Sequence, residues 1–186
     1  MGAVAGFDLA VVRALAGWRT GTLDAVAVAL TVAGVYGIVW MGLALLRASL
    51  VRTPAMRMAL VRVAFALLIA DVVSGAVMKP LFARERPFVA HTEVTTVGHR
   101  SPSPSFPSGH ATIAAAGAVA LSLMWPGLTV VWWILAAATM LARLYMGMHY
   151  PTDVIGGALV GLACGWLATG GARCYTARPV TLGVPR

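Results

Sequence analysis

The chain has 186 residues, enough for one domain but not comfortably for two. Sixty per cent of it is hydrophobic, only 11% is charged and the mean hydropathy is +0.85, which excludes a soluble domain able to cover such a core with polar surface. The formal charge of +8 comes from fourteen basic residues, thirteen of them arginine, against six acids. These arginines cluster at the ends of apolar runs, which points to bilayer topology and an anionic substrate and argues against nucleic-acid binding.

Apolar runs of about 20 residues mark helices that cross the hydrocarbon core. From the N-terminus, Phe7, Val11, Leu15 and Trp18 share one helical face while Asp8 and Arg13 lie elsewhere, so residues 7–18 read as a helix lying in the interface, with a short sixth span as the alternative. There is no basic stretch ahead of it and no convincing cleavage site, so no cleavable signal peptide is expected. Ala25 to Leu46 is uncharged and reads as the first clear span. Met58 to Met78 reads as the second, with Arg62 near its start and Asp71 inside it. The stretch from Ala111 to Ala142 carries no charge and is too long for one span. Trp125-Pro126-Gly127 divides it into helices from about Ser108 to Met124 and from about Leu128 to Met148. Val154 to Ala172 is the fifth span. The expected fold is therefore an all-α polytopic transmembrane bundle of five to six helices in one membrane-embedded domain, residues 1–186.

Between the second and third spans, residues 84–107 read as an extracytoplasmic loop, and residues 173–186 as a cytoplasmic tail. Helix counting brings Lys79, Ser108 to His110 and Arg143 to Asp153 to one membrane face. The other face holds Arg47, Arg52, Arg57 and Arg62, with Arg173, Arg178 and Arg186 in the tail, so the positive-inside rule makes it cytoplasmic. The three polar clusters then face outward across the cell membrane. Cys164 in the last span and Cys174 in the tail are not expected to pair.

Those clusters carry the chemistry. The first is Lys79, six residues, then Arg86-Pro87. The second is Pro107-Ser108-Gly109-His110. The third is Arg143, five residues, His149, three residues, Asp153. In this ordered set the chain resembles the type 2 phosphatidic acid phosphatase family of membrane lipid phosphatases, which shares its site with vanadium haloperoxidases. One position departs: Ala142 stands where the family usually has a serine before the arginine. The resemblance implies a metal-independent phosphatase with no cofactor, acting on a lipid phosphate or diphosphate through a phosphohistidine.

Physical chemistry supports the same roles. A phosphoryl group in transfer spreads negative charge over three oxygens, and Lys79, Arg86 and Arg143 can stabilise it as substrate-binding residues. Pro107 suits the first turn of a helix, so Ser108, Gly109 and His110 are expected to offer free amides at a helix N-terminus that binds phosphate. His149 is the expected nucleophile, Asp153 the acceptor that fixes its tautomer, and His110 the general acid. The carboxylates are too few and scattered for a two-metal site. Asp71 lies about 12 Å along a helix from Lys79 and reads as structural, bonded to a hydroxyl or an arginine on a neighbouring helix. His91 and His99 read as surface residues. Gly157, Gly161 and Gly165 form a small-residue stripe suited to packing within the bundle; a homo-oligomer stays open.

The substrate expected is a polyprenyl (undecaprenyl) diphosphate. Phosphatidylglycerophosphate, phosphatidic acid or a prenyl-phosphosugar are the nearest alternatives, and a non-catalytic lipid-phosphate binder or flippase-like protein is the alternative of another class.

Overall fold

The computed structural model describes residues 2–34 and 37–170. The arginines of the tail and Cys174 lie outside them. Every regular element among the described residues is helical: α1 (Ala3–Ala16), α2 (Gly21–Gly34), α3 (Ile38–Leu50), α4 (Pro54–Asp71), α5 (Lys79–Phe82), α6 (Pro87–Ala90), α7 (Gly109–Met124), α8 (Thr129–Tyr145) and α9 (Pro151–Thr169). A π-helical segment, Val72–Met78, joins α4 to α5.

The bundle is built around α7. Its small residues, among them Ala111, Ala114, Ala115, Ala116 and Ala118, are buried and let α4, α8 and α9 approach closely. On α9, Gly157, Gly161 and Gly165 face α7, so the stripe packs within the bundle. A Cβ on Gly161 would sit 2.1 Å from the Thr112 carbonyl oxygen, which requires the two helices to separate. Gly161→Ala should therefore destabilise the bundle by about 1–3 kcal/mol. A melting curve in detergent checks this, and an unchanged midpoint would contradict the packing. Trp40 of α3 fills a second close contact, its ring lying where a Cβ on Gly117 would fall.

Three stretches are long and apolar enough to cross a membrane: Pro54–Ala90, Pro126–Tyr145 and Pro151–Thr169. The expected span from Ala25 to Leu46 is broken. Helices α2 and α3 meet at 63°, and Gly37 enters the left-handed region at φ +75°. Hydropathy averages over a run and does not register a backbone reversal that glycine alone adopts readily. The break has a use: α2 lies against α8 while α3 lies against α4, so α2 can wall the site. The expected third span is α7, 16 residues long and shielded by its neighbours. Large side chains such as Leu68, Ile134, Leu159 and Trp166 point outward from the bundle, as lipid-facing residues do.

The N-terminal helix is 14 residues long, about 21 Å of rise and short of the hydrocarbon thickness. Phe7 on it and Trp18 just beyond its end are exposed, and the residues it buries are Asp8, Leu9 and Val12. The inward face thus centres on an acid that the apolar pattern had placed elsewhere.

Candidate active site

The three sequence clusters converge at one end of the bundle. Lys79 begins α5, just beyond the π-helical segment. Pro80 has no amide hydrogen to return to the preceding turn, and a widened turn ahead of it accommodates that loss. Arg86 precedes α6, Gly109 and His110 open α7, Arg143 closes α8, and His149 sits in the link to α9. Lys79, Arg86, Gly109, His110, Arg143 and His149 line a single cavity of about 670 Å³.

The cavity is cationic. Arg86 and Arg143 are buried, yet among the described residues neither they nor Lys79 form an ion pair with a carboxylate. Their hydrogen bonds go to neutral groups. Lys79 Nζ donates to Ser103 Oγ at 3.0 Å and to the Pro104 carbonyl at 2.9 Å. Arg86 donates through Nε to the Ser103 carbonyl at 2.7 Å and through Nη1 to the Met148 carbonyl at 3.0 Å. Arg143 Nη1 reaches Thr31 Oγ1 on α2 at 3.4 Å. Gathering buried cations without counter-ions costs several kcal/mol per ion, a cost that a multiply charged anion in the cavity offsets.

His149 presents one nitrogen to these cations and the other to Asp153. Its Nε2 lies 3.2 Å from Arg86 Nη1. Arginine has no acceptor, so Nε2 must hold its lone pair outward and the ring proton sits on Nδ1. That is the tautomer a nucleophilic Nε2 needs. Nδ1 points toward Asp153 Oδ2 at 3.6 Å, longer than a hydrogen bond but within reach of one on a small closure. Burial, reinforced by the Arg86 and Arg143 charges, pushes the His149 imidazole down to about 3, against the pull of Asp153. It is therefore neutral at physiological pH. His110 lies across the cavity, with Nε2 unpartnered by protein.

Residues 59–173, well over half of the chain and including all three clusters, match the family model described as PAP2 superfamily. The chain belongs to the PAP2 superfamily. It is 37% identical over 154 residues to the decaprenylphosphoryl-5-phosphoribose phosphatase of Mycolicibacterium smegmatis, a match covering 80% of this chain and 78% of that protein. It is 35% identical over 104 residues to the undecaprenyl-diphosphatase of Bacillus subtilis, covering 53% of this chain and 51% of that protein. The chain thus spans about half the length of several curated relatives it matches. Among solved structures, a transmembrane PAP2 type phosphatidylglycerolphosphate phosphatase from Bacillus subtilis superposes with a TM-score of 0.69 at 26% identity, covering 91% of this chain and 86% of that one. With its apolar helices, this PAP2 protein is a multi-pass membrane protein.

Two expected site residues stand behind the PAP2 cavity and not on its wall. Asp153 is fully buried and supports His149 from below. Ser108 is the N-cap of α7, accepting from the Ala111 amide, and its own amide donates to the Asp153 carbonyl at 3.0 Å. The helix starts one residue after the expected place because Pro107 precedes the cap. Ser108 therefore has no free amide to offer, while Gly109 and His110 do line the cavity. Ala142, in the family's usual serine position, packs with Ala27, Met146 and Met148.

Asp71 forms no ion pair among the described residues and lines both the cationic cavity and an apolar groove between α3 and α4. His99 reaches the cavity rim, whereas His91 packs edge-on to Tyr150 away from it.

Sequence reasoning missed the strap that seats the cations. Residues 101–105 run Ser-Pro-Ser-Pro-Ser, and extended backbone repeats its side every second residue. Ser101 pairs with Ser103, Ser103 holds Lys79 and Arg86, and Ser105 donates to Asp153 Oδ2. The alternation of serine with proline, which biases the chain toward extended conformations, is the signal that could have found it. Among the described residues no three His, Cys, Asp or Glu side chains gather as metal ligands do.

Proposed function

We propose that this chain is an integral-membrane lipid phosphatase that hydrolyses a polyprenyl-linked phosphate, foremost a polyprenyl (undecaprenyl) diphosphate, through a phosphohistidine on His149. The observation that carries the reading is the neutral Nε2 of His149 set among three cations that lack a carboxylate partner. Nε2 attacks phosphorus, the bond from phosphorus to the leaving oxygen breaks, and His110, protonated as the anionic headgroup enters, gives that oxygen a proton. Lys79, Arg86, Arg143 and the amides opening α7 hold the equatorial oxygens. Water then gives a proton to His110, attacks phosphorus and breaks the P–N bond, releasing inorganic phosphate. Asp153 stabilises the imidazolium formed in between.

The site opens to the extracytoplasmic side of the cell membrane, because Arg47, Arg52, Arg57 and Arg62 gather toward the opposite end of the helices. The lipid tail stays in the bilayer while the headgroup enters the cavity.

One observation favours a second substrate, a prenyl-phosphosugar. The relative matched over 80% of this chain is named for that class. Asp71 also places a hydrogen-bond acceptor on the cavity wall, which sugar hydroxyls can use and a diphosphate, itself rich in acceptors, cannot. Phosphate release by detergent-purified protein, with excess EDTA, separates the readings. A prenyl diphosphate should be the better substrate. Asp71→Ala, which removes the acceptor, should leave its turnover intact while lowering kcat/KM for a prenyl-phosphopentose by about tenfold. Equal turnover of the phosphopentose by wild type and Asp71→Ala would remove the support for the sugar reading. Tight binding of either lipid without release would favour a non-catalytic lipid-phosphate binder.

A further inference from the structure

Asp8 takes no part in the chemistry above, yet it is fully buried on α1. Its Oδ2 accepts from Arg84 Nη2 at 2.7 Å and from Thr152 Oγ1 at 2.5 Å, and its Oδ1 accepts from the Thr152 amide at 3.1 Å. Arg84 carries the chain of bonds onward. Its Nη1 donates to Asp153 Oδ1 at 2.6 Å and to Thr152 Oγ1 at 2.7 Å, and its guanidinium lies over the Tyr150 ring at 4.1 Å. One guanidinium therefore bridges two fully buried carboxylates, and the second of them stands behind His149.

We propose that Asp8 is a positioning residue for phosphoryl transfer, acting through Arg84 to keep Asp153 oriented and its charge available to His149. The proposal rests on the reading that His149 carries the phosphoryl group. It brings the N-terminal helix, which lies outside the residues matched to the family model, into the catalytic apparatus.

Two features of the cluster support it. The first is charge. Asp8, Arg84 and Asp153 together hold one net negative charge, which can stabilise the imidazolium that exists while Nε2 is bonded to phosphorus and Nδ1 keeps its proton. Without the Asp8 charge, Arg84 and Asp153 cancel, and His149 faces a neutral pair in a cavity already crowded with cations. The second is direction. Arg84 engages Oδ1 of Asp153, leaving Oδ2 as the oxygen nearest Nδ1 of His149, where the Tyr150 amide and Ser105 hydroxyl also hold it. The rigid fork of an arginine suits that task better than a flexible ammonium.

A role confined to fastening α1 to α9 would make a different prediction, because Thr152 supplies much of that fastening. Steady-state phosphate release from a short-chain prenyl diphosphate, by full-length protein in detergent, decides between them. Asp8→Asn keeps the size and the acceptor oxygen but removes the charge, while Thr152→Val removes the hydroxyl and keeps both charges. Asp8→Asn should lower kcat about 10- to 100-fold, with KM and the inhibition constant of inorganic phosphate unchanged. Thr152→Val, which loses one bond to Arg84 but keeps both charges, should lose far less rate than Asp8→Asn, and Asp8→Glu should restore most of the rate. Wild-type kcat in Asp8→Asn, or equal losses in Asp8→Asn and Thr152→Val, overturns the proposal. If Asp8→Asn does not yield monodisperse protein, Asp8→Ser decides, since it removes the same charge and leaves Arg84 on Asp153. It should show the same loss in kcat alone, and a wild-type rate overturns the proposal. A wild-type protein that releases no phosphate overturns the phosphatase reading and this proposal with it, whereas active wild type with unaffected variants overturns this proposal only.

Discussion

Replacing His149 with alanine should lower kcat for phosphate release by about ten-thousand-fold or more, the scale seen when a covalent nucleophile is removed. The expectation follows from geometry. Nε2 is the nucleophilic atom beside Arg86 in the cavity that Lys79 and Arg143 also line, and its lone pair is held outward because Arg86 can only donate. Lipid binding should survive the change, since Lys79, Arg86 and Arg143 remain and hold the anion without it. The loss therefore belongs in kcat, with KM moving little. Phosphate-release kinetics at saturating lipid measure it. A variant with a substantial residual rate would mean that water attacks the lipid phosphate directly and that His149 does something else.

The second large effect is expected at Arg86. This side chain makes hydrogen bonds to the Ser103 carbonyl and hydroxyl, the Met148 and Pro104 carbonyls and His149 Nε2. It both stabilises the phosphoryl oxygens and sets the tautomer of the nucleophile. Lysine retains the charge but not the planar fork, so Arg86→Lys should lower kcat about 100- to 1,000-fold. A lysine variant within a few-fold of wild type would show that the charge alone is enough and that the tautomer is fixed by Asp153.

Much of the site was legible in the sequence because phosphoryl transfer restricts residue types sharply. A lysine, two arginines and two histidines at fixed spacings leave little else that the pattern could be, and helix counting placed them together. The bundle was legible for a similar reason, since a helix that crosses lipid must be apolar over its length. What escaped were features set by single backbone angles or by distant partners. Gly37 takes a φ of +75° just before α3, a single backbone angle that a hydropathy window does not register. Asp71 was read from the rise of a regular α-helix, which carries no sign of the π-helical segment that follows it or of the cavity that it and Lys79 both line. Ser103, Ser105 and Arg84 gain their roles only when the strap folds back over Lys79 and α9. Asp8 looked like a polar residue beside an apolar face, and its partners lie 76 and 144 positions away.

A covalent phosphohistidine on His149 can be trapped. Purified protein is mixed with a polyprenyl diphosphate bearing a radiolabelled terminal phosphate, quenched in alkali within the first turnover and separated from lipid. Label should stay on the protein, be stable in alkali and lost in acid as a phosphorus–nitrogen bond is, map to His149, and be absent from His149→Ala. Steady release of labelled phosphate with no label ever on the protein would contradict the claim.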